Sequence, residues 1–596
     1  MWTKNWREEV WAQIDQAWDV IVIGGGITGA GILREAGRLG LRALLLEQRD
    51  FAWGTSSRSS KLVHGGLRYL KQGDFALTRE SVLEREHLLE EGPGLIDPLG
   101  FLLASYRGDK VGRLTYGAGL TIYDLLALQW SHKYYSPDDF RMLAPHISPV
   151  GLKGGYQYGD AETDDARLVL RVIREAVADS TTDQPILALN YACVTGLQRD
   201  EAGLVDGVTV RDEVSGETAV LQARLVINAT GAWADKLRQE VGEKARIRPL
   251  RGSHLVFPGW RLPVAQAVSF LHPLDQRPVM IFPWEGVTLV GTTDVDHRQE
   301  LDTEPGISPE EVTYLMMAVA YQFPSLDIGL DDVIATYAGV RPVISSGKAD
   351  PSQESRDHVV WEESGLLTIT GGKLTTFRLI ALDALKAARH RLPDLPEIDE
   401  DAAILNPVES DLPGTASLDE ADHRRLTGHY GAEAAALVQA AQPDELARIP
   451  GTQTLWAELR WAARAEGVVH LDDLLLRRVR LGLLLPQSGA AHMARIRAIC
   501  QPELGWDDVR WETEEAAYLA VCRQAYSLPP RETIPDWQPV LAEILRERET
   551  AVPISSRHKK SGVVTAVLLG LAALIFSFYL YRKRQPQRTQ RTRRNL

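Results

Sequence analysis

Asp19-Val20-Ile21-Val22-Ile23-Gly24-Gly25-Gly26-Ile27-Thr28-Gly29 sets an apolar strand directly against a glycine turn and the start of a helix. The helical run continues to about Gly40, and a second strand, Ala43 to Glu47, completes a βαβ unit. Each glycine of the G-x-G-x-x-G spacing has a physical task. Gly24 makes the tight turn, Gly26 lets the backbone approach a pyrophosphate, and Gly29 allows close packing of helix on strand. The phosphates would sit at the positive N-terminus of the helix. Glu47, at the end of the second strand, is placed to accept hydrogen bonds from a ribose hydroxyl. The unit predicts a dinucleotide cofactor and does not by itself separate FAD from NAD.

Outward from this unit the chain divides. Trp2, Trp6 and Val10 recur at helical spacing, which predicts a short helix packed on the first domain, with contact to a membrane surface as the alternative. The N-terminus lacks an apolar stretch and carries Glu8, Glu9 and Asp15, so it does not read as a signal peptide. Between about residues 247 and 345 short β-rich segments alternate with turns. Pro283-Trp284-Glu285-Gly286 reads as a hairpin connection. This predicts an antiparallel sheet inserted into the nucleotide-binding fold, the two together filling residues 1–391. Pro393, Pro396, Pro407 and Pro413 mark a linker. The Ala-, Leu-, Arg- and Glu-rich stretch that follows makes 392–556 an all-α domain. Gly562 to Tyr581 holds no charged residue and is flanked by Lys559, Lys560, Arg582, Lys583 and Arg584, which predicts a transmembrane helix over 562–581 with a basic tail over 582–596.

Charge narrows the partners. From Arg557 onward there are ten Lys or Arg and no Asp or Glu, so the rest of the chain carries 56 basic against 80 acidic residues. An acidic body argues against nucleic acid, and a basic tail beside an apolar stretch suits anionic lipid. Cys193, Cys500 and Cys522 show no metal-ligand spacing and read as buried free thiols.

Thr55-Ser56-Ser57-Arg58-Ser59-Ser60-Lys61-Leu62-Val63-His64-Gly65-Gly66-Leu67-Arg68-Tyr69-Leu70 gathers hydroxyls, cations and an imidazole just after Glu47. This run resembles the signature of FAD-dependent glycerol-3-phosphate dehydrogenases of the aerobic, quinone-linked type. Further segments agree in the same order: Asp164 to Leu168, Asn228-Ala229-Thr230-Gly231, Arg251-Gly252-Ser253-His254, Gly291-Thr292-Thr293-Asp294, Gly339-Val340-Arg341-Pro342 and Gly371-Gly372-Lys373-Leu374-Thr375-Thr376-Phe377. The stretch from Glu466 through Asp472-Asp473 and Arg477-Arg478 to Leu484 resembles the family's C-terminal domain. The apolar tail is a departure from the pattern.

The resemblance implies an α/β FAD-binding Rossmann-type domain with an interleaved antiparallel β substrate domain and a C-terminal all-α domain, to which the apolar run over 562–581 adds one C-terminal transmembrane helix. It implies oxidation of sn-glycerol 3-phosphate to dihydroxyacetone phosphate, with electrons passed to a membrane quinone. An oxidase using O2 and a non-catalytic membrane-anchored flavoprotein are the alternatives. Gly24, Gly26, Gly29, Glu47, Ser56, Ser57, Ser60, Lys61, Thr230, Gly231, Gly372, Lys373, Leu374 and Thr375 are the expected FAD contacts. Arg68, Arg341 and Arg356 are the expected phosphate clamps, since a guanidinium matches phosphate bidentately, with Tyr69 as a hydroxyl donor. Arg341 counts with His64 and Lys373 as catalytic. His64 is the expected base, because imidazole titrates nearest neutral pH, and Lys373 is its competitor. No metal is expected. The location implied is the cell inner membrane, through a single-pass C-terminal anchor on a cytoplasmic body, with a homodimer as one option for assembly.

Overall fold

The computed structural model describes residues 2–67, 70, 73–109, 111–345, 357–408 and 418–550, the side chains of 548–550 excepted. The strand Trp18–Ile23 lies between Ala43–Leu46 and Thr218–Asn228, parallel to both. Ile186–Leu189 extends the parallel sheet beyond Ala43–Leu46, and Leu366–Gly371 extends it beyond Thr218–Asn228. His358–Glu363 closes one edge antiparallel. Side chains of a strand alternate between faces, and both faces here are covered. Val20, Val22, Leu45 and Ile227 meet the helices Ile27–Arg38, Asp165–Ala178 and Phe377–Ala387. Ile21, Ile23, Leu44 and Val226 meet an antiparallel meander built from Ala192–Arg199, Val205–Asp212 and the start of Thr218–Asn228. The βαβ unit read from Asp19 to Glu47 is therefore the centre of the sheet.

The second sheet is mixed and wider than its expected 247–345 segment. Ile247–Pro258, Ala267–Leu271, Pro278–Trp284, Val287–Gly291 and Ala335–Ile344 belong to it, and it also takes Leu62–Val63, Ile96–Tyr106, Lys133–Tyr135 and Leu152–Thr163 from the first third of the chain. One pairing, Ala267–Leu271 with Ile96–Tyr106, is parallel. The hairpin at Pro283 to Gly286 forms as read. Trp284 pairs with Val287, and Glu285 (φ 47°) and Gly286 (φ 88°) are both left-handed. A two-residue loop with two positive φ values matches the twist of the strands it joins.

The N-terminal helix is Trp6–Trp11, and Trp2 stacks on Phe51 with ring centroids 5.0 Å apart. Arg7 fastens this segment by donating to Asp212, Asn190 and the carbonyl of Tyr191. From Glu420 to Thr550 the described chain is helical apart from turns and two isolated β-bridges, Arg448 with Leu455 and Glu466 with Trp2. Cys500 and Cys522 are buried free thiols, whereas Cys193 is half-buried.

The expected transmembrane helix requires correction. No helix of the described residues is long and apolar enough to cross a membrane. The longest, Asp508–Ala525, carries Asp508, Arg510, Glu512, Glu514, Glu515 and Arg523, charges that hydrocarbon does not tolerate on a lipid-facing helix. The 562–581 segment and the basic tail lie outside the described residues. A membrane-spanning helix is accordingly not part of the architecture that these residues define.

Glu162 and Asp97 stand directly opposite each other in the pair of strands Ile96–Tyr106 and Leu152–Thr163. Like charges so placed repel. Burial, and then the charges of Glu285 and Asp97, push Glu162 up to about 8. A carboxyl raised in the folded state stabilises the fold fully below its unfolded pKa, and that stability is lost as pH rises from about 4.5 to about 8. Glu162→Gln is expected to raise stability at pH 8.5 by on the order of 1–3 kcal/mol and to change little at pH 4.5. Urea denaturation of both proteins at the two pH values measures the difference.

Candidate active site

The helix Ile27–Arg38 begins at Gly26, which offers no capping side chain. The first N–H groups of a helix have no intrahelical partner. Here the Ile27 N–H donates to Ser56 Oγ (2.9 Å), while Gly26, Ile27 and Thr28 face a cavity of about 1970 Å³. Some helices of the chain fill this position, as Asp164 does for Asp165–Ala178 and Ser308 for Pro309–Gln322. An uncapped, dipole-positive helix end at a large cavity fits an anionic pyrophosphate.

The turn is also shaped for close approach. Gly24 has φ 111°, and a Cβ there would lie 2.7 Å from the carbonyl oxygen of Ala229. A Cβ on Gly29 would lie 1.9 Å from the carbonyl oxygen of Gly24, whereas one on Gly26 would point toward Ser56 Oγ at 3.1 Å. Glu47 follows the strand Ala43–Leu46 and lines the same cavity. Its carboxylate accepts from the N–H groups of Gly25 (2.7 Å) and Arg49 (2.9 Å), and burial raises its pKa against those bonds. The cavity exceeds the ~300–1,000 Å³ of a drug-sized site, so it has room for a dinucleotide and a small substrate together.

Thr230, Gly231, Gly372, Lys373, Leu374 and Thr375 line the cavity from the ends of the strands Thr218–Asn228 and Leu366–Gly371. The Gly371-Gly372 turn runs into a 3-10 turn, Leu374–Thr376, and then the helix Phe377–Ala387. Thr375 Oγ1 accepts from the N–H of His64 (3.1 Å) and donates to its carbonyl (3.2 Å), which fixes the His64 backbone against this turn. Lys373 Nζ donates to Ser81 Oγ (2.8 Å).

Arg341 lines the cavity from the strand Ala335–Ile344. It donates to the Thr293 carbonyl (2.8 Å) and lies 3.6 Å from the carboxylate of Asp294, which also pairs with Arg277 at 3.0 Å. Gly252 makes room for Arg341: a Cβ there would fall 2.1 Å from Arg341 Nη2.

Two of the expected FAD contacts lie behind the cavity wall rather than in it. Ser57 and Lys61 are buried and do not line the cavity. Lys61 Nζ donates to Asp165 Oδ1 (2.8 Å) and to the Ser57 carbonyl (3.1 Å) behind the loop. Burial, and then the charge of Arg480, lower Lys61 to about 8, against the pull of Asp165. Ser56 and Ser60, by contrast, face the cavity. Arg68, Tyr69 and Arg356 lie outside the described residues.

His254 lines the cavity without having been singled out in the sequence. Its ring stacks on Tyr337 at 4.6 Å, and its Nε2 meets Ser60 Oγ at 3.0 Å. Burial, and then Lys61 and Arg341, lower its pKa to about 3, so it stays neutral at physiological pH. The Arg251-Gly252-Ser253-His254 motif was its only signal. Asp160 is a second omission: Oδ1 accepts from Arg85 (2.6 Å), Tyr123 (2.6 Å) and the Gly65 N–H (3.2 Å), bracing the residue next to His64.

An uncapped glycine turn and a cavity of this size define a dinucleotide-binding oxidoreductase of the α/β class, and the comparisons with known proteins make the dinucleotide a flavin. The FAD dependent oxidoreductase family matches residues 19–378, and the C-terminal domain of alpha-glycerophosphate oxidase matches 400–511. An aerobic glycerol-3-phosphate dehydrogenase of Staphylococcus saprophyticus is 35% identical over 500 residues, 79% of this chain and 88% of that protein. Its namesake in Staphylococcus aureus is 35% identical over 490 residues, 77% and 86% of the two chains. The glycerol-3-phosphate dehydrogenase of Bacillus halodurans, solved with FAD, superposes with a TM-score of 0.69 at 28% identity, covering 88% of this chain and 98% of that one. L-alpha-glycerophosphate oxidase from Mycoplasma pneumoniae shares the fold at a TM-score of 0.50 and 18% identity, over 62% of this chain and 94% of that one. The chain belongs to the FAD-dependent glycerol-3-phosphate dehydrogenase family, and FAD is its cofactor.

Gly26→Val is expected to abolish FAD retention, because its branched side chain would enter the space between the turn and Ser56. Flavin absorbance of the purified variant measures this, and a normal flavin content would remove the turn from the site.

Proposed function

We propose that this protein oxidises sn-glycerol 3-phosphate to dihydroxyacetone phosphate and delivers the electrons to a membrane quinone. The observation that carries the reading is that a single cavity joins the dinucleotide turn to Arg341, Lys373, His64 and His254. Bound FAD supplies the acceptor for the hydride that leaves C2 of the substrate.

The remaining work falls to the chain. Arg341 is half-buried, with one guanidinium edge held by the Thr293 carbonyl and Asp294. It is the described cation best placed to clamp a phosphate dianion by charge-assisted hydrogen bonds. Arg68, Tyr69 and Arg356 complete that clamp in this reading. His64 takes the proton from the C2 hydroxyl, its backbone held by Thr375 and, through Gly65, by Asp160. Lys373 holds negative charge developing on the substrate oxygen or on the cofactor's pyrimidine edge, and the N–H groups of the Leu374–Thr376 turn add to it. Neutral His254 gives or takes a hydrogen bond without competing for the phosphate charge.

A lipophilic acceptor suits the far wall of the cavity, which is lined by Phe101, Leu103, Leu114, Tyr116, Leu120 and Met280. Leu114 is 88% exposed, so the apolar lining continues to the surface.

Glycerol 3-phosphate added anaerobically is expected to bleach the flavin absorbance, and a soluble quinone to restore it. No bleaching would overturn the substrate assignment. Recovery by O2 as fast as by quinone would make the protein an oxidase. Arg341→Ala is expected to lower kcat/KM by roughly 10- to 150-fold, the cost of a charge-assisted hydrogen bond. Arg341→Lys should lose less at high substrate. Asp294 keeps Arg277 as its partner, so the variant should fold, and unchanged kinetics would take Arg341 out of the clamp.

A further inference from the structure

Three arginines of the helical C-terminal part reach across to the cofactor domain. Asp473–Arg478 is a π-helical turn, and Arg480 follows it in the left-handed conformation (φ 59°). A bulky residue persists there only where its surroundings hold it. Arg478 grips Asp50 through two nitrogens (2.5 and 2.8 Å), and Arg477 Nε adds a third bond at 2.6 Å. Asp50 ends the loop that begins at Glu47. Burial pushes the Asp50 carboxyl up, and the charges of Arg478 and Arg477 more than reverse the effect, so it stays ionised.

Arg480 holds the second loop. Its Nη2 donates to the Ser57 carbonyl (2.8 Å) and to Asp165 Oδ1 (2.9 Å), and its Nη1 to the Leu476 carbonyl (2.9 Å). Ser57 adjoins Ser56, which receives the Ile27 N–H at the head of the glycine-turn helix. Asp165 Oδ2 in turn accepts from the N–H (2.9 Å) and hydroxyl (2.8 Å) of Ser59. Tyr526, just past the helix Asp508–Ala525, accepts from Arg58 Nε at 3.1 Å, and Arg58 lines the cavity. The loops that run on from Glu47 and through Ser56 along the cavity are thus fastened from behind by a helical part that has no cavity-lining residue of its own.

We propose that the C-terminal helical part is a cofactor clamp, in which Arg478, Arg480 and Tyr526 are positioning residues that hold the 47–50 and 55–61 loops in the shape that retains FAD. They touch neither substrate nor cofactor and act through Asp50, the Ser57 carbonyl and Arg58. Without the Arg480 grip, the Ser57 carbonyl keeps only Lys61, and Ser56 is free to leave the helix head. The clamp rests on FAD binding alone, so it stands or falls independently of the substrate and the acceptor.

The test uses full-length holoenzyme carrying Arg480→Lys, Tyr526→Phe or, as a control, Glu433→Gln. The control loosens the ion pair of Arg174 with Glu433 (2.5 Å), which also joins the two parts, while Arg174 donates only to Glu433 and the Ala465 carbonyl and to no residue of either loop. FAD release is followed by free-flavin fluorescence on dilution, at a temperature where circular dichroism shows every variant native. Arg480→Lys and Tyr526→Phe are expected to weaken FAD retention by on the order of tenfold, as for a lost buried hydrogen bond to a charged group, with Glu433→Gln matching the parent. Tyr526→Phe decides alone should Arg480→Lys not fold. Parent-like retention in Tyr526→Phe and in any folded Arg480→Lys, or an equal loss in Glu433→Gln, overturns the clamp.

Discussion

The contact between the carbonyl of Gly24 and the α-carbon of Gly29 sets the rest of the structure. At the 1.9 Å left for a Cβ, any other residue would push the helix Ile27–Arg38 off the central strand. That helix packs beside Asp165–Ala178 and Phe377–Ala387 over the parallel sheet. Its displacement would open the core on that whole face, and interiors packed to crystal-like density have little room to absorb it. The same contact sets the helix head, Gly26 to Thr28, against the cavity. Packing and anion binding are two results of one close approach, and the glycines answer to both.

Around this apolar centre the chain buries many charges. Asp50, Asp165, Lys61, Arg167, Glu466, Arg477, Arg478 and Arg480 are all nearly sealed from solvent. Taking such groups out of water costs several kcal/mol each, and well-packed apolar residues often stabilise a fold as well or better. What ionic contacts add is direction. A guanidinium meets a carboxylate in a fixed fork, so Arg478 on Asp50 and Arg167 on Glu466 each admit one arrangement of helical part against sheet. An apolar interface of the same area would permit sliding, and a slide of 1 Å at Ser57 would be felt at Ser56.

How much of this could be read in the sequence depends on how local the signal is. The unit from Asp19 to Glu47 is legible because period, glycines and terminal acid all lie within thirty residues. The turn at Glu285-Gly286 is legible for the same reason. The strands Ile96–Tyr106 and Leu152–Thr163 were not read: they pair with each other some fifty residues apart, and nothing near either one announces the partner. In the loop from Thr55 to His64, Ser56, Ser57, Ser60 and Lys61 were read as cofactor contacts. Ser56 and Ser60 line the cavity, whereas the Ser57 carbonyl and the Lys61 ammonium meet Arg480 and Asp165 behind it. Density of polar groups marks such a loop, whereas the side each group faces is settled by elements hundreds of residues later. His254 shows the converse. Its role at the cavity depends on Tyr337 and Ser60, neither of them near it in sequence.

The order of strands in the parallel sheet bears on how the protein is made. Trp18–Ile23 has a partner ready on one edge once Ala43–Leu46 is synthesised, yet its other edge waits for Thr218–Asn228. At roughly 5–20 residues per second, the ribosome leaves that edge open for about 10–40 s. The waiting strand is apolar on both faces, with Val20 and Val22 on one and Ile21 and Ile23 on the other, the profile of a segment that pairs with the wrong chain if left uncovered. The turn that completes the cavity, Gly371 to Thr375, and the arginines beyond it emerge later still. A nascent chain therefore cannot close its flavin cavity until Thr375 has been made, and the arginines that grip the cavity loops from behind follow only at Arg477 to Arg480.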